Sequence, residues 1–363
     1  MRFRGAAHSE RVSARIGVWL GVSFLICFLT GLLSHLIQHP PDWFGWPSRP
    51  VWLYRVTQGL HVVSGIAAIP LLLAKLWSVY PKLFGRPLVR SPLHALERGS
   101  ILVLSGSAFF QLVTGLLNVA QNYPWNFYFP QLHYALAWVA IGSIAVHVAV
   151  KLPIVRRALR RETEPEPESS GLSRRGFLRT TWLAAGAAVV ATAGATVPWL
   201  RPVSGLSWRS DRGSQGVPVN RTAAAAGVVD KAASADWRLD VGTRTFSRAE
   251  LAALPQTTAE LPIACVEGWS QSAVWTGVSL PDLLRAAGVA PGSRVGVVSL
   301  EEGGLYARSD LPGEHTADPL TLLALKLNGE ELNLDHGFPC RIIAPNRPGV
   351  LQTKWVRRLE VSP

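Results

Sequence analysis

Four long apolar stretches before residue 155 constrain the fold of this chain more than any other feature. Each is long enough to cross a bilayer, because a hydrocarbon core of ~30 Å is spanned by about 20 helical residues. The stretches cover approximately residues 16–37, 56–79, 100–120 and 132–152. We therefore expect the N-terminal part of the chain to form a membrane α-helical bundle of four helices.

The positive charge of the chain lies in the same N-terminal part. Residues 1–161 carry 16 Lys and Arg against 3 Asp and Glu, whereas residues 201–363 carry 17 of each. The basic residues precede the first stretch, separate the second from the third and follow the fourth, so these segments are expected to face the cytoplasm. The pattern indicates a multi-pass protein of the cytoplasmic membrane, in contact with membrane lipid, and no nucleic acid as a partner.

A polar, proline-containing segment at residues 161–172 is predicted to be a linker. The sequence Ser173-Arg174-Arg175-Gly176-Phe177-Leu178 then precedes a moderately apolar stretch and is similar to a twin-arginine export signal. The alternative is a fifth transmembrane anchor helix with a basic inner flank. Both interpretations cross the membrane from inside to outside. The expected domains are a four-helix membrane domain at 1–160, the linker, the signal or fifth helix at 173–200, and an extracytoplasmic domain at 201–363.

Three histidines lie within the apolar stretches, where ionisable side chains are costly and usually mark function. His61 is in the second stretch, and His133 and His147 are in the fourth. The latter two are separated by nearly four helical turns, so they share one face at about 21 Å along the axis. His61 and His133 both lie near the outer end of their stretches and are expected to meet. Paired imidazoles suit haem iron in electron transfer; the alternative is that these histidines merely pack or lie at the interface.

The order and spacing of these histidines resemble those of the four-helix b-type cytochrome subunits of formate dehydrogenases and hydrogenases. The resemblance implies haem b, with His61 and His133 binding an outer haem and His147 an inner one, and electron exchange with quinone. The remaining inner ligand of that family lies near the start of the first helix, where this sequence has Arg15-Ile16-Gly17. We therefore expect one haem, and a second stays open, with His94 as a candidate partner for His147.

Residues 201–363 have the pattern of a mixed α+β domain. Strand-like runs cover residues 237–241, 261–265, 294–300 and 340–344, and helices are expected at 280–287 and 320–327. Turn residues separate these segments. No internal repeat is evident along the chain.

Cys265 closes one strand-like run and opens the loop Val266-Glu267-Gly268-Trp269-Ser270. A cysteine at such a junction, beside Gly and Trp, is placed to reach a cleft, and a thiolate is a soft ligand suited to a metal or a covalent intermediate. No cysteine pair with zinc-site spacing is present. Cysteine-protease chemistry stays open, with His315 and His336 as the histidines of this half.

Two motifs resemble the metal-loop and pterin-binding segments of the sulfite oxidase family of molybdopterin enzymes. The first is Cys265–Ser270 followed by Trp275-Thr276-Gly277-Val278, and the second runs from Asp335 to Arg341 and continues at Lys354-Trp355. The resemblance spans roughly residues 215–361 and implies a sulfite-oxidase-type molybdopterin domain with molybdenum bound by Cys265. The pterin and its phosphate would be held by His336, Arg341 and Lys354, with Asn220 and Arg221 as further contacts. Arg347, Arg357 and Arg358 are expected at a solvated or membrane-facing edge, and Cys340 in the core.

One departure from that family bears on the reaction. Sulfite-oxidising members carry an arginine shortly after the ligand cysteine, and Val266–Ser270 has none. The Glu-Gly-Trp loop is similar to that of a bacterial periplasmic branch of S-oxide reductases, which works with a separate haem-bearing membrane subunit.

The expected function is a membrane-bound molybdopterin-dependent oxidoreductase that links the quinone pool, a b-type haem and an outer molybdenum site. The expected reaction is two-electron oxygen-atom transfer that reduces a small-molecule S-oxide or N-oxide. Three alternatives stay open: oxidation of a sulfur compound at the same site, a cytochrome with a non-catalytic outer binding domain, and a structural membrane anchor with neither cofactor.

Overall fold

The computed structural model describes residues 6–83, 91–160, 172–208, 213–304 and 306–361. All but one residue of the predicted linker at 161–172 lies outside the described residues. The chain divides into two compact units. The first unit comprises Met1–Leu33, Gly59–Gly194 and Trp199–Trp208, and the second comprises Ser34–Gln58, Ala195–Pro198 and Arg209–Pro363.

The N-terminal part is helical. Its helices are α1 (Glu10–Gln38), α2 (Leu53–Leu83), α3 (Pro92–Val119), α4 (Phe129–Arg160) and α5 (Arg174–Thr192). Within the described ranges, four helices are long and apolar enough to cross a membrane by length and composition, and these are α1 to α4. The predicted number of long apolar helices is thereby confirmed.

Helix α5 begins at the predicted site but is shorter than the predicted stretch. The Ser173 hydroxyl caps it by accepting a hydrogen bond from the backbone N–H of Gly176 at 3.0 Å. The helix ends at Thr192, and short 3₁₀ turns replace it up to Val203, where Pro198 and Pro202 disfavour a longer α-helix. Among the described helices, α5 is not one of those apolar enough to span a membrane, so its role as an anchor stays a prediction.

The helices of the first unit pack through a narrow apolar core and leave large apolar side chains outside. Phe24 of α1, Ala68 and Leu72 of α2 and Ala108 of α3 form one buried cluster. In contrast, Leu102 is 74% exposed on the outer surface. A helix that is apolar on all sides matches an apolar solvent better than water.

The C-terminal domain is a two-sheet α+β structure, as its sequence pattern predicts. Its elements in chain order are α6 (Val229–Ala233), β1 (Arg238–Val241), β2 (Arg244–Ser247), α7 (Arg248–Ala253), β3 (Gln256–Ala264), β4 (Ser270–Ser279), α8 (Leu280–Ala286), β5 (Val295–Ser299), β6 (Arg308–Leu311), α9 (Gly313–Ala317), β7 (Leu322–Leu327), β8 (Glu330–Glu331), β9 (Arg341–Ile343) and β10 (Val356–Val361).

One sheet has the order β2-β1-β10-β5-β6, and the other has the order β3-β4-β7-β8 with β9 paired to β7. Apart from the parallel pair of β1 with β10, the strand pairs in the described sheets are antiparallel. A buried cluster joins side chains from both sheets, including Leu239 of β1, Val297 of β5 and Leu323 of β7. The core therefore lies between the sheets.

The predicted helix at 320–327 is wrong, because this segment forms the strand β7. Leu323 and Leu325 face the core between the sheets, whereas Leu322, Ala324 and Leu327 face a second apolar cluster. A strand that is buried on both faces shows no alternation of polar and apolar residues. Its sequence therefore resembles that of a buried helix rich in Leu and Ala. The other predicted segments correspond to β1, β3, β5, β9 and α8.

Candidate functional site

Cys265 lies in the tight turn that joins β3 to β4. Ala264 pairs with Ser270 across the two strands, and the backbone N–H of Cys265 donates to the Trp269 carbonyl at 2.8 Å. Gly268 has a φ of +87°, which glycine adopts without strain. The turn fixes the position of the thiol, whose residue is only 1% exposed and forms no disulfide.

The sulfur of Cys265 accepts a hydrogen bond from Asn220. The Asn220 Nδ2 lies 2.8 Å from Sγ, and the Asn220 Oδ1 accepts from the indole N–H of Trp269 at 2.9 Å. Because an indole nitrogen only donates, Trp269 determines which end of the amide faces the sulfur. An N–H donor at this position stabilises negative charge on sulfur.

His336, Arg341 and Lys354 come together around a glycine turn. Gly337 follows His336 and has a φ of +109°. A Cβ at Gly337 would lie 3.0 Å from the Arg341 Cβ and 3.1 Å from the Lys354 Cβ. The absence of a side chain at Gly337 therefore allows the two cationic residues to approach the turn.

Arg341 and Lys354 are bound to main-chain oxygens. Arg341 donates to the carbonyls of His336 and Gln352 at 3.1 and 3.3 Å, and Lys354 donates to the carbonyls of Asp335 and Arg221 at 2.8 and 2.5 Å. In the part of the chain that the structure describes, the Nε of Arg341 is buried and has no hydrogen-bond partner. Among the described residues, no carboxylate is hydrogen-bonded to the side chain of Arg341 or Lys354.

The pKa values of this cluster reflect its buried cations. Burial lowers the pKa of Arg341 to about 9, and burial together with the Arg341 charge lowers the pKa of Lys354 to about 7. Burial and the two cations also lower the pKa of His336 to about 4, so this imidazole is neutral near pH 7. Its Nε2 lies 2.6 Å from the Ser214 carbonyl and therefore carries the hydrogen. A bound anion would offset the cost of desolvating these charges.

Two arginines lie in surroundings that the sequence did not predict. Arg347 was expected at a solvated edge, and this is wrong, because the residue is 6% exposed and donates to the Asp310 carbonyl at 2.8 Å. A run of basic residues does not reveal which side chain a loop turns inward. The side chain of Arg221 pairs with Glu301 at 2.7 Å. Arg357 and Arg358 are exposed.

The first half of the chain also contributes to the Cys265 turn, which sequence analysis did not anticipate. Segment Ser34–Gln58 belongs to the same compact unit as the C-terminal domain. Arg55 donates to the hydroxyls of Ser270 and Ser272 at 2.7 and 2.9 Å, and the Gln58 side chain donates to the Val266 carbonyl at 3.3 Å. No sequence signal pairs these residues, because more than 200 positions separate them.

In the first unit, His61 of α2 faces His133 of α4. The ring centroids are 6.5 Å apart, and the ring planes are inclined by 67°. The Nδ1 of His61 lies 2.9 Å from the Cys27 carbonyl, which can only accept, so Nδ1 carries the hydrogen. The lone pair of His61 is therefore on Nε2, which is the state required of a metal ligand.

The same tautomer follows for His133. Its Nδ1 lies 3.1 Å from the Thr114 Oγ1, and that hydroxyl donates its hydrogen to the Phe110 carbonyl at 2.6 Å. Thr114 must therefore accept from Nδ1, which leaves the lone pair of His133 on Nε2. Both facing imidazoles therefore have their lone pair on Nε2.

A short repeat that the sequence reading did not detect supports both histidines. The tetrapeptide Thr-Gly-Leu-Leu occurs in α1 at Thr30–Leu33 and in α3 at Thr114–Leu117. Thr30 contacts the His61 Nδ1 at 3.2 Å just as Thr114 contacts that of His133. A four-residue identity of this kind is too short to stand out in the sequence without the structure.

The structure does not join His147 to this pair. It is half-buried on α4, about 21 Å along the helix axis from His133. His94 lies in the first turn of α3, where its Nε2 accepts from the Arg98 Nε at 3.4 Å. A second haem between them stays a prediction.

Comparisons with known proteins match the C-terminal part of the chain. Residues 225–363 match the oxidoreductase molybdopterin binding domain family. The uncharacterized oxidoreductase YuiH of Bacillus subtilis is 33% identical over 31% of this chain and 56% of its own length. Sulfite oxidase of Arabidopsis thaliana is 37% identical over 26% of this chain and 28% of its own. The solved sulfane dehydrogenase SoxCD of Paracoccus pantotrophus shows 27% identity and a TM-score of 0.32, over 35% of this chain and 38% of its own.

Residues 225–363 are thus a molybdopterin oxidoreductase domain of the sulfite oxidase family. In this chain the domain follows an N-terminal region of four long apolar helices. The chain spans only about half or less of the length of these relatives.

The site residues fit molybdopterin chemically. Arg341 supplies buried positive charge for a phosphate, and its Nε is a buried donor that needs an acceptor. The half-buried Lys354, with its pKa lowered to about 7, adds positive charge when it is protonated. Cys265 supplies a soft sulfur ligand that already receives an N–H donor from Asn220.

Proposed function

We propose that this chain is a membrane-bound molybdopterin oxidoreductase that exchanges electrons between the quinone pool, a b-type haem and a molybdenum site on the outer face. The proposed reaction is oxygen-atom transfer that reduces a small-molecule S-oxide or N-oxide. The observation that carries the proposal is the paired His61 and His133 in the same chain as a molybdopterin domain.

The helical unit supports the haem role through its ligand geometry. His61 and His133 present unprotonated Nε2 atoms, and each Nδ1–H is held by a threonine oxygen or a carbonyl on a neighbouring segment. Such outer hydrogen bonds orient metal-binding imidazoles and increase their basicity. Bis-imidazole haem in an apolar surround supplies one-electron transfer.

The C-terminal unit supports the molybdenum role. Cys265 would bind the metal, and His336, Arg341 and Lys354 would hold the pterin and its phosphate. Molybdenum bound there supplies two-electron oxygen-atom transfer. Asn220 and Trp269 orient the hydrogen bond to sulfur, and Arg55 braces the strand that follows the turn.

The membrane role is supported by length and charge. Helices α1 to α4 are each long enough to span, and their large exposed apolar side chains suit lipid. The excess of arginine and lysine before α1 and after α4 favours a cytoplasmic location for both ends. This orientation is consistent with residues 201–363 on the outer side.

The test is the cofactor content and activity of the full purified chain. Metal analysis should give molybdenum, and the reduced spectrum should show a b-type α band. Cys265→Ser should abolish quinol-driven reduction of S-oxides and N-oxides and leave the haem band intact, whereas Cys340→Ala, which alters a core thiol, should keep turnover. Loss of the haem band in Cys265→Ser would contradict the modular assignment.

The same preparations address the alternatives. Haem without molybdenum would favour a cytochrome with a non-catalytic binding domain, and neither cofactor would favour a structural anchor. If the protein oxidises sulfur compounds but reduces neither S-oxides nor N-oxides, the proposed direction of the reaction is wrong. The missing arginine in Val266–Ser270 is the sequence feature that favours reduction.

A further inference from the structure

A cavity of about 630 Å³ lies in the first unit between the N-terminal turns of α1 and α5. Five arginines line it: Arg11 and Arg15 on α1, and Arg174, Arg175 and Arg179 on α5. Among the side chains that the structure describes, none that lines this cavity is acidic. The described part of the cavity wall therefore concentrates positive charge.

The interior of the cavity is apolar. Val12 and Ile16 of α1 and Leu71 of α2 line it and are at most 2% exposed. Trp19 and Trp182 also line it and contact each other edge to face, with ring centroids 4.8 Å apart. The cavity thus offers apolar and aromatic surface as well as charge.

On both helices the lining arginines precede the tryptophan. Arg11 and Arg174 lie eight residues before it, or about 12 Å of helix, whereas Arg15 and Arg179 lie about one turn before it. A ligand that matches both ends must be an amphiphile with an anionic group and an apolar body. Guanidinium groups bind phosphate through paired hydrogen bonds, and basic pockets between membrane helices bind anionic head groups.

We infer that this cavity binds an anionic phospholipid, with its phosphate among the arginines and the start of its acyl chains against Trp19 and Trp182. The inference rests on the proposed membrane insertion, which puts the N-terminal ends of α1 and α5 at the cytoplasmic surface. It gives Arg174 and Arg175 a role in the folded protein besides the predicted export signal. The bound lipid would hold the start of α5 against α1.

The test uses the full chain in mild detergent, stripped of lipid and then mixed with equal amounts of phosphatidylglycerol and phosphatidylcholine. Bound lipid is counted by native mass spectrometry. The variant combines Arg15→Gln with Arg179→Gln, because both residues are exposed and the change leaves Arg174 and Arg175 intact for export. The control combines Arg156→Gln with Arg157→Gln, which are exposed near the end of α4 and outside the cavity.

The unchanged chain and the control should retain phosphatidylglycerol selectively, and the variant should bind it about thirty-fold more weakly, or about 2 kcal/mol for two charges. Equal retention by the variant, or equal retention of phosphatidylcholine by the unchanged chain, would overturn the inference. Displacement of phosphatidylglycerol by millimolar inorganic phosphate would also overturn it, because the site would then bind a free anion. The haem band of these samples tests the proposed function separately, since lipid selectivity does not require haem.

Discussion

Asn220 donates a hydrogen bond from its Nδ2 to the sulfur of Cys265 over 2.8 Å, and Trp269 holds the other end of the amide at 2.9 Å. The two bonds connect a segment before the first sheet to the turn that carries the thiol. The protein itself therefore supplies a hydrogen-bond donor to the sulfur.

Replacing Asn220 by Ala should slow turnover without removing molybdenum. The substitution removes a donor to a negatively charged sulfur, and such bonds contribute about 1.5–3 kcal/mol, so we expect a loss of about ten- to hundredfold in kcat. Trp269→Phe keeps the amide but removes the group that orients it, and it should give a smaller loss in the same direction. Steady-state kinetics with metal analysis checks both, and an unchanged kcat in Asn220→Ala would contradict the role.

Thr114→Val should weaken haem retention more than Thr30→Val. Thr114 is the acceptor described for the His133 Nδ1–H, whereas His61 keeps the Cys27 carbonyl at 2.9 Å when Thr30 is lost. Losing such an outer partner costs about 10–100-fold in metal affinity. Haem content after titration with a competing haem-binding protein measures the difference. Equal retention by the two variants would show that the tautomer of His133 is held in another way.

Gly31 and Gly115 provide a matched pair of substitutions. A Cβ at Gly31 would lie 3.0 Å from the His61 Cε1, a tight contact from which the ring must move slightly, whereas a Cβ at Gly115 would lie 3.8 Å from the His133 Cε1, an ordinary contact. Gly31→Ala should therefore displace the His61 ring and diminish or shift the reduced α band, and Gly115→Ala should leave it unchanged. The reduced-minus-oxidised spectrum distinguishes them, and an unaltered band in Gly31→Ala would argue against His61 as a ligand.

His315 should make the C-terminal domain less stable in mild acid. Burial and the neighbouring Arg347 charge lower the pKa of His315 from 6.5 to about 3, while the opposing charge of Asp318 is engaged by Arg49 at 2.8 Å. The unfolded chain therefore binds more protons below pH 6.5, and the free energy of unfolding falls as the pH drops. The expected loss between pH 6.5 and 5 is about 2 kcal/mol.

Chemical denaturation of the full chain at these two pH values checks the effect of His315. His315→Gln removes the titrating group and should flatten the pH dependence by that amount, even if it lowers stability at both pH values. The same slope in the variant and the unchanged chain would assign acid sensitivity to other groups.

Part of the site could be predicted because its reactive and cofactor-binding residues lie in short, contiguous motifs. Cys265 with its Glu-Gly-Trp loop and the segment from Asp335 to Arg341 are contiguous, so their residue types are visible without a fold. The long apolar helices were equally predictable, since a continuous apolar run needs only length to be recognised. In contrast, β7 was mistaken for a helix, because burial on both faces removes the alternation that marks a strand.

The sequence alone determined the four apolar helices, the thiol at Cys265 and the histidines that could bind haem. The tertiary structure alone decided that Thr30 and Thr114 hold those histidines, that Arg347 turns inward, and that Arg55 reaches the strand after the Cys265 turn. The reason is physical. Residue type and local periodicity act over a few positions, whereas hydrogen bonds and burial join residues that only the folded backbone brings together.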